Sequence, residues 1–182
     1  MPENPHTFEG SAPQPSPSVT ESWGLIDYDQ ALGRMMALVE AVADGAKPDT
    51  IIFCTHPPIV TMGRSTKSEH MSGWTGKTLE VARGGSVTYH GPSQLVVYPI
   101  VNLQRPHPDR KPNEIVGFLR SFENAIVETL AEYGVTAIGR SVRQKNTEQK
   151  PQDETGVWVG DKKNSLPGLR SPPLDNFPRR CH

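Results

Sequence analysis

Apolar side chains recur along this chain at two spacings, and each predicts a different element. From Asp27 onward Ala31, Leu32, Met35, Met36, Val39 and Ala43 fall three or four residues apart, the repeat of one helix face, and Gly45 with Pro48 closes the pattern. A second helix is predicted after Asn113, a natural N-cap, with Glu114 in its first turn; Ile115, Phe118, Leu119, Phe122, Ile126 and Leu130 form its apolar face and Gly134 ends it. Strands are expected at Ile51 to Cys54, at Ile59 to Met62, at Gln94 to Val101, where Pro99 points to a sheet edge or strand end, and at Val157 to Val159. Arg105 to Pro112 reads as a basic loop and Ser141 to Thr155 as a polar one. Strands mixed with two long helices predict an α/β or α+β domain.

Residues 1–22 are expected to form a disordered tail, because Pro, Ser, Thr and Glu dominate there and few large apolar groups are present to offset the entropy of ordering; folding is expected to begin near Trp23. With 182 residues the chain is long enough for one ordinary domain. The formal net charge of −1 gives no reason to expect nucleic acid or an anionic membrane as a partner. No apolar run approaches the roughly 20 residues of a membrane span, and no basic region precedes an apolar stretch at the N-terminus, so a cytoplasmic protein is expected. Cys54 and Cys181 show no metal-ligand or redox spacing, so no zinc site or disulfide framework is expected. Cys54, inside an apolar run, reads as a small inert hydrophobe.

Candidate chemistry concentrates in Arg83-Gly84-Gly85-Ser86-Val87-Thr88-Tyr89-His90-Gly91-Pro92-Ser93-Gln94-Leu95. Two glycines after an arginine let the backbone approach a ligand closely, and exposed N–H groups with the guanidinium can meet a carbonyl or phosphate. A Gly-Gly turn between two strands accounts for the same letters structurally. His56 reads either as a turn residue bonded to nearby backbone or as a group facing substrate.

This stretch resembles the signature of the lipoyl(octanoyl) transferases, Arg-Gly-Gly-x-x-Thr-Tyr-His-Gly-Pro-Gly-Gln-Leu, with Ser93 where that family carries glycine. Thr55 to Arg64 is similar to the family's His-Pro-Pro-x-x-Thr-x-Gly-Arg block, and Gly156 to Lys163 resembles the strand that delivers its catalytic lysine. The resemblance implies the mixed-sheet catalytic fold shared with biotin and lipoate protein ligases over residues 23–163, and no cofactor. It implies transfer of an octanoyl group from octanoyl-acyl carrier protein to a lysine of lipoyl domains, those of 2-oxoacid dehydrogenase E2 subunits and of the glycine cleavage H protein. Lys163 is implied as the catalytic lysine, with Lys162 as its fallback, and Arg83, Gly84, Gly85, Ser86, Val87, Thr88, Tyr89 and His90 as the substrate-binding wall. In the family a cysteine near the C-terminus takes the acyl group as a thioester, and the lysine lowers its thiol pKa and then helps deprotonate the incoming amine.

After Lys163 the resemblance stops. Residues 164–182 hold four prolines without periodicity and are expected to be a disordered tail lacking the family's nucleophile segment. Pro172 onward, with its codons read from the second base, can spell the family's Arg-Arg-Trp and Phe-His-Gly, so a shift of reading frame just after Lys163 is the expectation. Cys181 lacks the family's Pro-Cys-Gly frame and is not assigned as the nucleophile. Two alternatives stay open: an ATP-using lipoate or biotin protein ligase, and a non-catalytic remnant that binds carrier protein or lipoyl domain.

Overall fold

The chain runs β1 (Ser18–Leu25), α1 (Tyr28–Ala43), β2 (Asp49–Thr55), β3 (Ile59–Met62), a 3-10 turn (Ser68–Met71), β4 (Lys77–Glu80), β5 (Val87–His90), β6 (Val96–Ile100), α2 (Ile115–Glu132), β7 (Ile138–Gly139), β8 (Val157–Val159) and β9 (Lys162–Ser165). The computed structural model describes residues 18–71, 73–105, 107, 110–139 and 156–165; expectations for 1–17, 141–155 and 166–182, Cys181 among them, lie outside the described residues.

Among the described residues three three-stranded sheets result, in the orders β1-β2-β6, β4-β3-β5 and β7-β8-β9. In the first, β2 alternates buried and half-buried positions, so Ile52 and Cys54 face α1 while the intervening residues face away. The helix buries Tyr28, Ala31, Leu38 and Val42. That stripe is rotated from the expected one: Met36 is exposed, and Leu38 and Val42 take the core positions given to Val39 and Ala43. Pro99 lies in β6, which is an edge strand, as a residue without an N–H requires.

Strand β1 begins at Ser18, inside the stretch expected to be loose. Its side chains are mostly exposed; order comes from main-chain pairing with β2, from Ser18 opposite Asp49 to Leu25 opposite Thr55. Composition carries no sign of such an edge strand. The register slips between Ser22 and Gly24, and the skipped residue, Trp23, packs against both core clusters.

The loop after β6 is tied to this layer by Arg105. Its Nη1 donates to Asp49 Oδ1 at 2.7 Å and its Nη2 to the carbonyls of Val42 and Lys47 at 2.9 and 3.2 Å. The cap of α2 differs from expectation. Asn113 sits at φ 61 with its N–H on the Leu103 carbonyl, and Glu114 takes the N-cap place. Phe118, Leu119, Phe122, Ile126 and Leu130 are half-buried and Ile115 is exposed; the buried residue of α2 is instead a carboxylate, Glu123.

Candidate functional site

Strand β3 lies between β4 and β5, so the segment that leaves it, 63–65, runs under the loop joining those two neighbours. Three main-chain hydrogen bonds clamp the loop there: Gly63 N–H to Ser86 O at 2.8 Å, Arg64 N–H to Arg83 O at 3.1 Å and Ser65 N–H to Gly85 O at 3.0 Å. The approach is possible because residue 63 has no side chain. A Cβ at Gly63 would stand 2.5 Å from the Gly85 carbonyl oxygen and 2.9 Å from that of Gly84. Gly85 turns the loop at φ 75, a conformation glycine adopts without steric cost.

Gly84 is different. A Cβ there would meet nothing within 4 Å, so the chain's own packing does not demand a glycine. The Arg83 guanidinium, which the sequence offered to a ligand, is turned inward: Nη2 donates to Thr61 O at 2.9 Å and Thr61 Oγ1 at 3.0 Å, and Nη1 to Gly84 O at 3.0 Å. Loss of hydration pulls its pKa below the ordinary arginine value. Arg83 thus fastens its own loop to β3. Ser86 Oγ donates to His70 Nδ1 at 2.5 Å, and the same nitrogen accepts the Lys67 N–H at 3.1 Å.

Along β5, alternation sends Val87 and Tyr89 to one face and Thr88 and His90 to the other. Tyr89 is exposed and meets Trp74 edge-on, 5.6 Å between centroids. Thr88 offers its carbonyl to Thr61 Oγ1 at 3.3 Å. His90 donates from Nδ1 to Gln94 Oε1 at 3.0 Å, with Tyr28 and His56 each 5.6 Å away by ring centroid. Desolvation, chiefly, holds the His90 pKa below its usual value despite the Gln94 bond, and the nearby His56 and Arg83 act in the same direction.

Beneath His90 lies a cluster that the sequence left undecided. His56 is fully buried. Its Nδ1 is 2.8 Å from the Ile26 carbonyl, which only accepts, so Nδ1 carries the proton and Nε2 accepts the Tyr98 hydroxyl at 3.0 Å. His56 therefore holds two segments together, through a partner thirty residues distant rather than nearby backbone. Cys54 Sγ is 3.7 Å from the same Nε2, and burial pushes its thiol up to about 11. Burial, with smaller contributions from Tyr28 and Cys54, also raises the Tyr98 phenol well above its ordinary value. Tyr28 and Tyr98 carried no motif; the first is buried at the start of α1 and the second half-buried in β6.

Lys163 lies on β9 opposite Trp158, with Nζ 5.7 Å from the indole centroid. The structure thus gathers Arg83 to His90 into one loop-and-strand unit and sets Lys163 on the third sheet, beside α2. A cavity of about 600 Å³ opens next to the clamp, lined by Met62, Gly63, Arg64, Lys67, Met71 and Val81 among others, and none of residues 83–90 lines it. Among the described residues no group of three or more His, Cys, Asp or Glu is placed to hold a metal ion, and no helix is long and apolar enough to cross a membrane.

A sequence model described as the lipoyl protein ligase A/B catalytic domain matches residues 27–165. An octanoyltransferase of Bdellovibrio bacteriovorus is 48% identical over 152 residues, covering 83% of this chain and 69% of the relative. One of Laribacter hongkongensis is 36% identical over 148 residues, covering 81% and 63%. The chain thus spans about two thirds of the length of these relatives. Among solved structures, P. falciparum LipL1 in complex with lipoate aligns at a TM-score of 0.55 with 11% identity over 81% of this chain and 42% of that one. A lipoate-protein ligase A bound with ATP aligns at 0.50 with 18% identity over 80% and 57%. At these identities the two structures speak for the fold alone.

Proposed function

The chain belongs to the octanoyltransferase family of lipoyl protein ligase A/B catalytic domains, and from that premise we propose that it moves an octanoyl group from octanoyl-acyl carrier protein to a lysine of a lipoyl domain. The observation that carries this reading is the clamped loop of residues 83–86, bearing at Gly84 a glycine that internal packing does not require. A residue with no side chain and open space around it leaves room for the close approach of something external. We place the thioester end of the acyl chain against Gly84 and Gly85, with Thr88 and His90, which share one face of β5, along its path.

Lys163 is the proposed proton acceptor. Its amine takes the proton from the attacking lipoyl-domain lysine as the new amide forms, and the thiolate released from the acyl thioester takes up a proton in turn. In the family the acyl group passes through an enzyme cysteine. Cys54 is not suited to that step, since a buried thiol pushed up to about 11 holds almost no thiolate at neutral pH. Lipoyl domains of 2-oxoacid dehydrogenases and of the glycine cleavage H protein are the proposed acceptors, in the cytoplasm.

The test is mass spectrometry of a lipoyl domain after incubation with this chain and octanoyl-carrier protein without ATP, beside a tube with free octanoate and ATP. Octanoylation in the first tube, lost in Lys163→Ala, supports the proposal. Acylation only in the ATP tube assigns a ligase, and binding of the domain without acylation in either tube assigns a non-catalytic role.

A further inference from the structure

Glu123 is the one carboxylate buried within a helix among the described residues, and the motifs give it no role. It is 2% exposed on α2, and its Oε1 accepts the N–H of Gly156 at 2.7 Å, the residue immediately before β8. Its other oxygen lies against Gly139 of β7, where a Cβ would come within 3.1 Å of Oε2. Gly139 pairs with Val157, which is itself fully buried. One carboxylate therefore meets β7 and the residue that leads into β8 at once.

The position matters because β8 sets the pairing of β9, the strand that carries both Lys162 and Lys163. Between Val157 and Trp158 the pairing of β8 with β9 slips by one: Val157 faces Ser165, Trp158 faces Lys163 and Val159 faces Lys162, so Asn164 has no opposite residue. Successive strand residues point to opposite faces, so Lys163 and Lys162 are on opposite sides of β9; Lys163 is half-buried over Trp158 and Lys162 exposed. Sliding a strand by one residue exchanges the two faces. In a short sheet with two adjacent lysines, little else in the sequence distinguishes one register from the next.

We infer that Glu123 is a positioning residue which, by holding the Gly156 N–H, fixes the β8–β9 register that presents Lys163 rather than Lys162 beside Trp158. A carboxylate suits the task, since a charge-assisted bond to a buried N–H is stronger and more directional than a neutral one. Its consequence for acyl transfer rests on the reading of Lys163 given above; the selection between the lysines does not.

The experiment compares wild type, Glu123→Ala, Glu123→Gln and, as a distant destabilising control, Val42→Ala. Trace acetic anhydride labelling with peptide mass spectrometry gives the relative reactivity of Lys162 and Lys163, and amide exchange gives the protection of residues 157–163. Glu123→Ala is expected to bring the two lysines toward equal reactivity and to lower protection there by about tenfold, the weight of one charge-assisted hydrogen bond. Glu123→Gln, which keeps an acceptor oxygen, restores both, and Val42→Ala leaves the lysine ratio unchanged. With octanoyl-carrier protein as substrate, Glu123→Ala lowers kcat and leaves KM for the donor unchanged. An unchanged lysine ratio in Glu123→Ala, or an equal change in Val42→Ala, overturns the inference. A wild-type chain with no transfer activity whose lysine ratio still responds to Glu123 overturns the functional reading instead.

Discussion

Replacing Gly63 by alanine drives a methyl group into the backbone of the loop that the proposed site is built on. The new Cβ starts 2.5 Å from the Gly85 carbonyl oxygen, and ordinary contact begins at 3.4 Å, so the loop must rise by about 0.9 Å. Neighbouring carbonyls of Gly84 and Ser86 stand at 2.9 and 3.0 Å, which blocks a sideways escape. Lifting the loop stretches the three bonds from residues 63–65, each worth about 1 kcal/mol, so a loss of about 2–3 kcal/mol in folding stability is expected. Displacement of a binding wall by nearly 1 Å lowers kcat/KM by about 10²-fold. Urea denaturation monitored by tryptophan fluorescence reads the first effect and the octanoyl-transfer assay the second. Gly84→Ala is the control: its Cβ meets nothing within 4 Å, so stability holds while transfer falls if ligand passes there. A Gly63→Ala protein within about 0.5 kcal/mol of wild type refutes the clamp.

Three further outcomes are expected from the same geometry. Arg105→Met leaves the largely buried Asp49 carboxylate without its ion partner and is expected to cost about 3 kcal/mol, read from the urea midpoint. His90 has a folded pKa below its unfolded value, so its contribution is fully present above about pH 6.5 and is lost as pH falls through the depressed value; His90→Gln should flatten the acid limb of the stability profile between about pH 7 and 5. Cys54, with its thiol pushed up to about 11, should stay unmodified by Ellman's reagent at pH 8 until denaturant is added.

Much of this fold was legible because its signals are local. Helix α1 announced itself by periodicity and its Gly45 stop, and β3 by an apolar run leaving the Pro57-Pro58 turn. Strand β1 was not legible: it is held by main-chain pairing to a partner some thirty residues away, and Ser18 to Ser22 hold one large apolar side chain. The face of α1 was rotated because Met36 and Leu38 are equally apolar, and only the direction of β2 decides between them. At the site, the Arg-Gly-Gly motif marked the right loop, yet the inward turn of Arg83 depends on Thr61 in a strand that sequence places far away. Glu123 escaped for the same reason, as nothing local separates a buried carboxylate from the solvated glutamates around it.

The most direct test of the proposed site is a crystal structure of the chain with a non-hydrolysable octanoyl-pantetheine amide. The amide carbonyl is expected against the Gly84–Gly85 backbone, with the Lys163 amine within hydrogen-bond reach of the reacting centre. A ligand seated on the loop with Lys163 remote from it, or one bound elsewhere with the loop unvisited, contradicts that claim.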